Sequence, residues 1–131
     1  MSTYDDLIID IQKALEAKNY NGKIIKEGKI ENNAFSITFP VTFGNENSQE
    51  DFYIKIPKII FYDKTINFDT PLTEKDRILG RNEFFSLNTL EDRWPSLYGI
   101  EFVQPISFLE NHNAIITRRI EGDFLFRKIR G

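Results

Sequence analysis

A stretch that alternates strictly between apolar residues and polar or small residues constrains the fold more than any other feature. Its apolar members are Phe35, Ile37, Phe39, Val41 and Phe43, and the residues between them are Ser36, Thr38, Pro40 and Thr42. A period of two is typical of a β-strand with one buried and one exposed face, and antiparallel sheets commonly contain such strands. The stretch therefore predicts a strand over 35–43 in a sheet that is covered on one side.

The segments around this strand predict an α+β fold. A helix is predicted over 3–18 from apolar residues at helical spacing, which are Tyr4, Leu7, Ile8, Ile11 and Leu15. The other predicted elements are strands over 23–30, 52–56, 100–109 and 114–120 and a helix from about Thr73 to Arg93. Connections of a few residues are too short for parallel crossovers. We therefore expect a five-stranded antiparallel sheet with one packed helix, plus the N-terminal amphipathic helix.

Composition narrows the class of protein without naming it. The chain has 131 residues, a net charge of -3, no cysteine and one histidine, which predicts a single domain over 1–131. The mild acidity argues against nucleic-acid binding, and the lack of cysteine excludes thiolate zinc sites and disulfides within the chain. Apolar runs fall far short of the ~20 residues of a membrane helix, and the acidic N-terminus is unlike a signal peptide. We therefore expect a cytoplasmic protein without a membrane span.

Two oppositely charged residues stand in apolar surroundings. Lys55 lies within an apolar run of a predicted strand, and Glu83 lies between Leu79 and Leu87 on the apolar stripe of the second helix. A carboxylate that faces a core is costly to desolvate and is normally paired. A strand lysine held by a helix glutamate is the arrangement that positions an ammonium on nucleotide phosphates. Each residue alone is more typical of a solvated surface position, so the interpretation depends on the pair.

Three segments carry a family resemblance through their order and spacing: YIKIPK (53–58), GRNEFFSLNTL (80–90) and GIEFVQPISFLENHNAIITRRIEG (99–122). They resemble the N-terminal lobe of kinase-like phosphotransferases of the aminoglycoside phosphotransferase and lipopolysaccharide kinase type. The first resembles the third strand of that lobe with its nucleotide lysine, the second resembles its helix with the paired glutamate, and the third resembles its fourth and fifth strands and hinge. The resemblance spans roughly 34–126. It implies a lobe over 23–122 and a tail past the hinge over 123–131. Whether the helix over 3–18 belongs to the lobe or is an addition that caps its sheet is left open by the resemblance; from its apolar face we expect the cap.

The resemblance also implies a role for individual residues, with ATP as a weakly bound cofactor. Lys55 would contact the α- and β-phosphates, and Glu83 would pair with Lys55. Thr117 would be the gatekeeper behind the adenine. The Arg118 carbonyl and the Ile120 N–H would form hydrogen bonds with the adenine edge.

Other parts of the family pattern are absent from these 131 residues. Glu31-Asn32-Asn33, read as a tight connection, stands where a glycine-rich loop is usual, and no H-x-D catalytic loop or D-F-G magnesium aspartate follows. We therefore expect no catalysis by this chain alone and magnesium binding only with a second lobe. That lobe, or a partner protein, is expected on an exposed apolar face near Phe102, Phe108, Ile120, Phe124 and Phe126.

A protein of a different class accounts for the same residues. In this alternative the chain is a self-contained small α+β interaction protein, such as an inhibitor, an immunity protein or a chaperone, with no nucleotide role. The Lys55–Glu83 pair would be structural only, and the phenylalanine-rich surface would bind a partner. The single histidine, His112, is expected as an exposed turn residue.

Overall fold

The computed structural model describes residues 3–60, 65–91 and 102–120. Helix α1 spans Thr3–Ala17 and helix α2 spans Glu74–Glu91. The strands are β1 (Lys23–Glu27), β2 (Glu31–Asn32), β3 (Ser36–Gly44), β4 (Gln49–Pro57), β5 (Phe102–Leu109) and β6 (Ala114–Ile120). The predicted α+β fold with an antiparallel sheet is confirmed. The predicted end of the second helix at Arg93 and the tail over 123–131 lie outside the described residues.

The sheet has the strand order β1-β3-β4-β6-β5, and the short β2 also pairs with β3. The predicted strand over 23–30 and the connection after it are therefore two short strands along one edge. The edge is interrupted opposite Pro40, which has no N–H to contribute to a ladder. Gly28 bridges the gap by donating its N–H to the Pro40 carbonyl oxygen at 2.8 Å. Six strands thus occupy five positions.

The alternating stretch forms β3 with one correction at its start. Ile37, Phe39, Val41 and Phe43 are buried, as the pattern predicts. Phe35, however, lies before the strand and is 56 % exposed, because Asn33 N–H closes a tight turn onto the Ser36 carbonyl oxygen.

Helix α1 covers the apolar face of the sheet. Its buried residues Leu7, Ile11 and Leu15 pack into one core with β3, β4 and β6. Asp5 and Asp6 in the first turn suit the positive end of the helix dipole. The expected role of the N-terminal helix as a cap on the sheet is confirmed.

Helix α2 packs on the opposite face of the sheet. Phe84 stacks on Phe108 of β5, with ring centroids 5.4 Å apart. The helix begins with the predicted threonine cap: Thr73 Oγ1 accepts the Asp76 N–H at 3.1 Å, and Asp76 Oδ2 accepts the Thr73 N–H at 3.0 Å. Neither described helix is long and apolar enough to cross a bilayer.

Candidate functional site

Lys55 and Glu83 form an ion pair where β4 and α2 face each other. The Lys55 Nζ atom lies 2.6 Å from Glu83 Oε1. Phe52 and Ile54 of β4 are buried in the core under α1, and successive strand residues point to opposite faces, so Lys55 points toward α2. The structure thus brings together the two residues on which the sequence-based interpretation depends.

Helix α2 does not bury the leucine stripe that surrounds Glu83 in the sequence. Leu79 is 39 % exposed and the Glu83 side chain is 33 % exposed. The helix instead turns Asp76, Gly80 and Phe84 toward the sheet, at spacings of four residues. The prediction of a core-facing glutamate is therefore wrong. Glu83 lies at the border of the packed face, where its carboxylate reaches Lys55.

One oxygen of Glu83 is engaged and the other is not. Oε1 accepts a hydrogen bond from Lys55, whereas Oε2 is shielded from solvent and has no partner within the described part of the chain. A shielded acceptor without a partner costs about 1–3 kcal/mol, and a partly exposed ion pair contributes about 1 kcal/mol or less. The pair therefore adds little or nothing to the stability of the fold.

The ion pair forms part of the wall of an open cavity of about 340 Å³ between α2 and the connection into β3. The lining residues are Phe35, Lys55, Pro57, Leu79, Asn82, Glu83 and Ser86. The Lys55 side chain is 42 % exposed, so its ammonium is accessible from the cavity. An ammonium has three donors and Glu83 engages one of them, which leaves donors for an anion.

Thr117 lies on the Lys55 face of the sheet, one strand away. In the register of β4 and β6, Tyr53 is opposite Thr117 and Lys55 is opposite Ile115. Thr117 is buried, and its hydroxyl donates to the Tyr53 carbonyl oxygen at 3.3 Å. Alternate residues of a strand are about 6.6 Å apart, so the predicted gatekeeper and the predicted nucleotide lysine occupy neighbouring positions of one surface.

Arg118 and Ile120 follow Thr117 on β6, beyond the described pairing with β4. That pairing covers 115–117, and β5 is the strand partner described for the residues that follow. The Arg118 side chain points to the opposite face, where its Nη1 atom lies 2.8 Å from Glu50 Oε1. Only backbone groups of Arg118 are therefore suited to the predicted adenine contact.

Glu31 stands near the surface that the resemblance assigns to phosphates. It is opposite Thr38, which is in turn opposite Lys55, so Glu31 lies on the same face of the sheet two strands from the lysine. Strands are about 4.8 Å apart, which places the two residues about 10 Å apart. Charges at that distance in solvent are largely screened at physiological ionic strength. At that distance the acidic residue would weaken binding of a phosphate at Lys55 only slightly.

The predicted apolar docking face is described only at Phe108, which is half-buried against Phe84. The side chains of its other members lie outside the described residues, and they are Phe102, Ile120, Phe124 and Phe126. A different residue, Phe85 of α2, is 73 % exposed. It borders a cavity of about 570 Å³ together with Lys18 and Arg81.

Sequence reasoning missed a buried polar cluster beside the ion pair. Asn113, in the turn between β5 and β6, is 1 % exposed, and Asp76 of α2 is 2 % exposed. The Asn113 side chain donates to the Asp76 carbonyl oxygen at 2.7 Å. One available signal is Gly80. A glycine inside a helix lowers the stability of the helix, and close approach of another group to its backbone is a reason for a glycine at such a position.

His112 is not the exposed turn residue that the sequence suggests. Its side chain is 12 % exposed, and its Nε2 atom lies 2.6 Å from Asp10 Oδ2 on α1. The turn between β5 and β6 folds back toward α1, which brings together two residues 102 positions apart. The contact links the covering helix to the turn that holds Asn113.

A second lysine near the site is already engaged. Lys58 is 3 % exposed, and its Nζ atom donates to the carbonyl oxygens of Asn67 and Thr70. Burial lowers the pKa of Lys58, and the nearby carboxylates of Asp76 and Asp69 oppose that effect. Lys58 therefore has a structural role, and Lys55 is the lysine of this segment that faces the α2 cavity.

Comparisons with known proteins give no relative for this chain: no protein-family model, no curated protein and no solved structure matches it. Among the described residues, no group of three or more histidine, aspartate or glutamate side chains is placed to hold a metal ion. The support for a function therefore lies in the site itself.

Proposed function

We propose that this chain binds an adenine nucleotide as the N-lobe-like part of an ATP-dependent phosphotransferase. Lys55 contacts the α- and β-phosphates, and Glu83 holds the Lys55 ammonium in place. The observation that carries the proposal is the 2.6 Å contact between Lys55 and Glu83 at the wall of an open cavity. A cytoplasmic location, where ATP is abundant, belongs to the same proposal.

The arrangement of elements around the pair supports this function. Protein kinases carry the nucleotide lysine on a strand and its partner glutamate on a helix, and the ion pair must form for phosphoryl transfer. Here the lysine strand β4 is followed along the chain by α2, and β6 lies next to β4 in the sheet. Thr117, where the resemblance expects the adenine, is thus adjacent to the surface that carries Lys55.

The energetics of the pair also support a ligand-directed role. The ion pair contributes little to folding, because the shielded Glu83 Oε2 offsets the attraction. A bound phosphate would add charge-assisted hydrogen bonds to the free donors of Lys55, each worth about 1.5–3 kcal/mol. The pair therefore contributes more to the binding of an anionic ligand than to the stability of the fold.

An ATP titration of the ¹⁵N-labelled chain tests the proposal. At millimolar ATP we expect shifts at Lys55 and at the amides of 118–120. Lys55→Met should weaken ATP binding by about 10- to 100-fold, the equivalent of one lost charge-assisted contact, and should leave adenosine binding unchanged.

Lys26→Met is the matched control, since it removes the same charge from an exposed position on β1. It should bind ATP like the unaltered chain. If millimolar ATP shifts neither Lys55 nor the 118–120 backbone, the nucleotide role is wrong.

The exposure of Phe85 favours a second candidate, a small interaction protein without a nucleotide role. An aromatic ring that is 73 % exposed beside the stacked Phe84 and Phe108 is typical of a surface that binds another protein. This candidate predicts that ATP leaves all amides unshifted and that Lys55→Met changes only stability, by about 1 kcal/mol or less.

A further inference from the structure

We propose that Asn113 is a positioning residue that fixes α2 against β4 and thereby sets the Lys55–Glu83 contact. The inference rests on the proposed function for its effect on nucleotide binding, and on the geometry alone for its effect on the ion pair. The side-chain amide of Asn113 donates to backbone carbonyl oxygens of β4 and α2, so it acts through the backbones that carry Lys55 and Glu83.

The amide of Asn113 bridges the two elements. Its Nδ2 atom donates to the Pro57 carbonyl oxygen at 2.8 Å and to the Asp76 carbonyl oxygen at 2.7 Å. Pro57 lies two residues after Lys55 on β4. Asp76 lies seven residues before Glu83, which is about two turns of α2 and returns to nearly the same side of the helix. A slide or rotation of α2 that separated the ion pair would break one of these two bonds.

Gly80 brings the same amide against the backbone of α2. A Cβ atom on Gly80 would lie 2.0 Å from Asn113 Oδ1 and 2.7 Å from its Cγ atom, so no other residue fits at position 80 with the amide in place. Gly80 lies three residues before Glu83. The amide is therefore held on two sides, by hydrogen bonds and by direct contact with the helix.

The residues around the amide leave it little freedom. Asn113 is 1 % exposed and has a left-handed backbone, with a φ of 55°. Asp76, whose backbone carbonyl oxygen accepts a hydrogen bond from the amide, is itself held in place. Its carboxylate accepts the Ile59 N–H at 2.8 Å and the Thr73 N–H at 3.0 Å. This buried cluster thus holds in register the backbones that carry two partly exposed side chains, Lys55 and Glu83.

The first test uses the Lys55 side chain as a spectroscopic reporter and needs no ligand. The Lys55 ε-methylene signal is assigned by its loss in Lys55→Met, and Glu83→Gln gives its position when the ion pair is absent. In Asn113→Gly, which suits a φ of 55° but has no amide, we expect the signal to move at least half of the way to the Glu83→Gln position. In Asn111→Gly, an exposed residue of the same turn, it should stay in place.

A folded Asn113→Gly chain with the Lys55 signal at its original position overturns the inference. If this variant does not fold, Gly80→Ala tests the same contact, because its methyl group displaces the amide while every hydrogen-bonding group remains. The Lys55 signal should move in the same direction, and an unmoved signal in folded Gly80→Ala also overturns the inference.

The second test separates positioning from a general loss of stability. Asn113→Gly should weaken ATP binding about tenfold and should cause no further loss in the Glu83→Gln background. Leu15→Ala, which destabilises the opposite face of the sheet, should leave ATP affinity unchanged. An equal loss of affinity in Leu15→Ala would contradict the positioning role. If the original chain does not bind ATP while the Lys55 signal moves in Asn113→Gly, the proposed function fails and the positioning role stands.

Discussion

Replacing Asp76 by asparagine removes the charge that ties the start of α2 to the chain after β4. Asp76 is 2 % exposed, and the two oxygens of its carboxylate accept the N–H groups of Ile59 and Thr73. An asparagine has one carbonyl oxygen for these two donors, and its NH₂ group must face the other N–H. We therefore expect the loss of one charge-assisted hydrogen bond, worth about 1.5–3 kcal/mol, and a partly buried N–H without an acceptor.

Together these effects should lower the free energy of unfolding by about 2–4 kcal/mol. For 131 residues the unfolding entropy is about 0.28 kcal/mol/K, so the melting temperature should fall by about 10 °C. Urea denaturation followed by circular dichroism measures the free energy, and a thermal melt measures the shift.

Glu74→Gln is the matched control for Asp76→Asn. Glu74 lies in the same first turn of α2 but is exposed, so its loss should cost about 1 kcal/mol or less through the helix dipole. Equal destabilisation by the two substitutions would refute this prediction, because it would mean that the hydrogen bonds of Asp76 add nothing beyond its charge.

Two further predictions concern the face of the sheet under α1. Ile11→Ala should lower the free energy of unfolding by about 2–5 kcal/mol in urea denaturation, because Ile11 is fully buried; Ile9→Ala, at a 39 % exposed position of the same helix, should cost far less. Burial, and then the hydrogen bond and charge of Glu27, raise the pKa of Tyr4 above its usual 10.0. The stability from this shift is present below pH 10 and lost as the pH rises further, so melts between pH 8 and 11 should show a smaller alkaline decline for Tyr4→Phe than for the original chain. An equally steep decline in Tyr4→Phe would refute the assignment.

The sequence predicts the parts of this fold that follow from local periodicity. The helical spacing of Leu7, Ile11 and Leu15 and the alternation within β3 are signals of burial that any chain with this pattern would carry. The Lys55–Glu83 pair was predictable for a similar reason. Each residue has an unusual charge within an apolar pattern, but the pattern around Glu83 is partly exposed, so the contact forms at the border of the packed face of α2 and not within it.

The remainder of the site depends on contacts between residues distant in sequence, which periodicity does not encode. Asn113 and Pro57 are 56 positions apart, and His112 and Asp10 are 102 positions apart. A turn sequence such as Glu110–Asn113 gives no indication of which elements it will meet. The division of the sheet edge was missed because the interruption depends on Pro40, which lies on the neighbouring strand.

The divided edge also affects how the chain meets other copies of itself. An exposed edge strand offers unpaired N–H and C=O groups, which can recruit a strand of another chain and begin aggregation. Here the edge formed by β1 and β2 is broken at 28–30, and β1 shifts register between Ile24 and Lys26. The exposed side chains of β1 include charged residues at both of its ends, Lys23 and Glu27. An incoming strand finds no continuous run of five regular residues to pair with, so this edge disfavours intermolecular sheet growth.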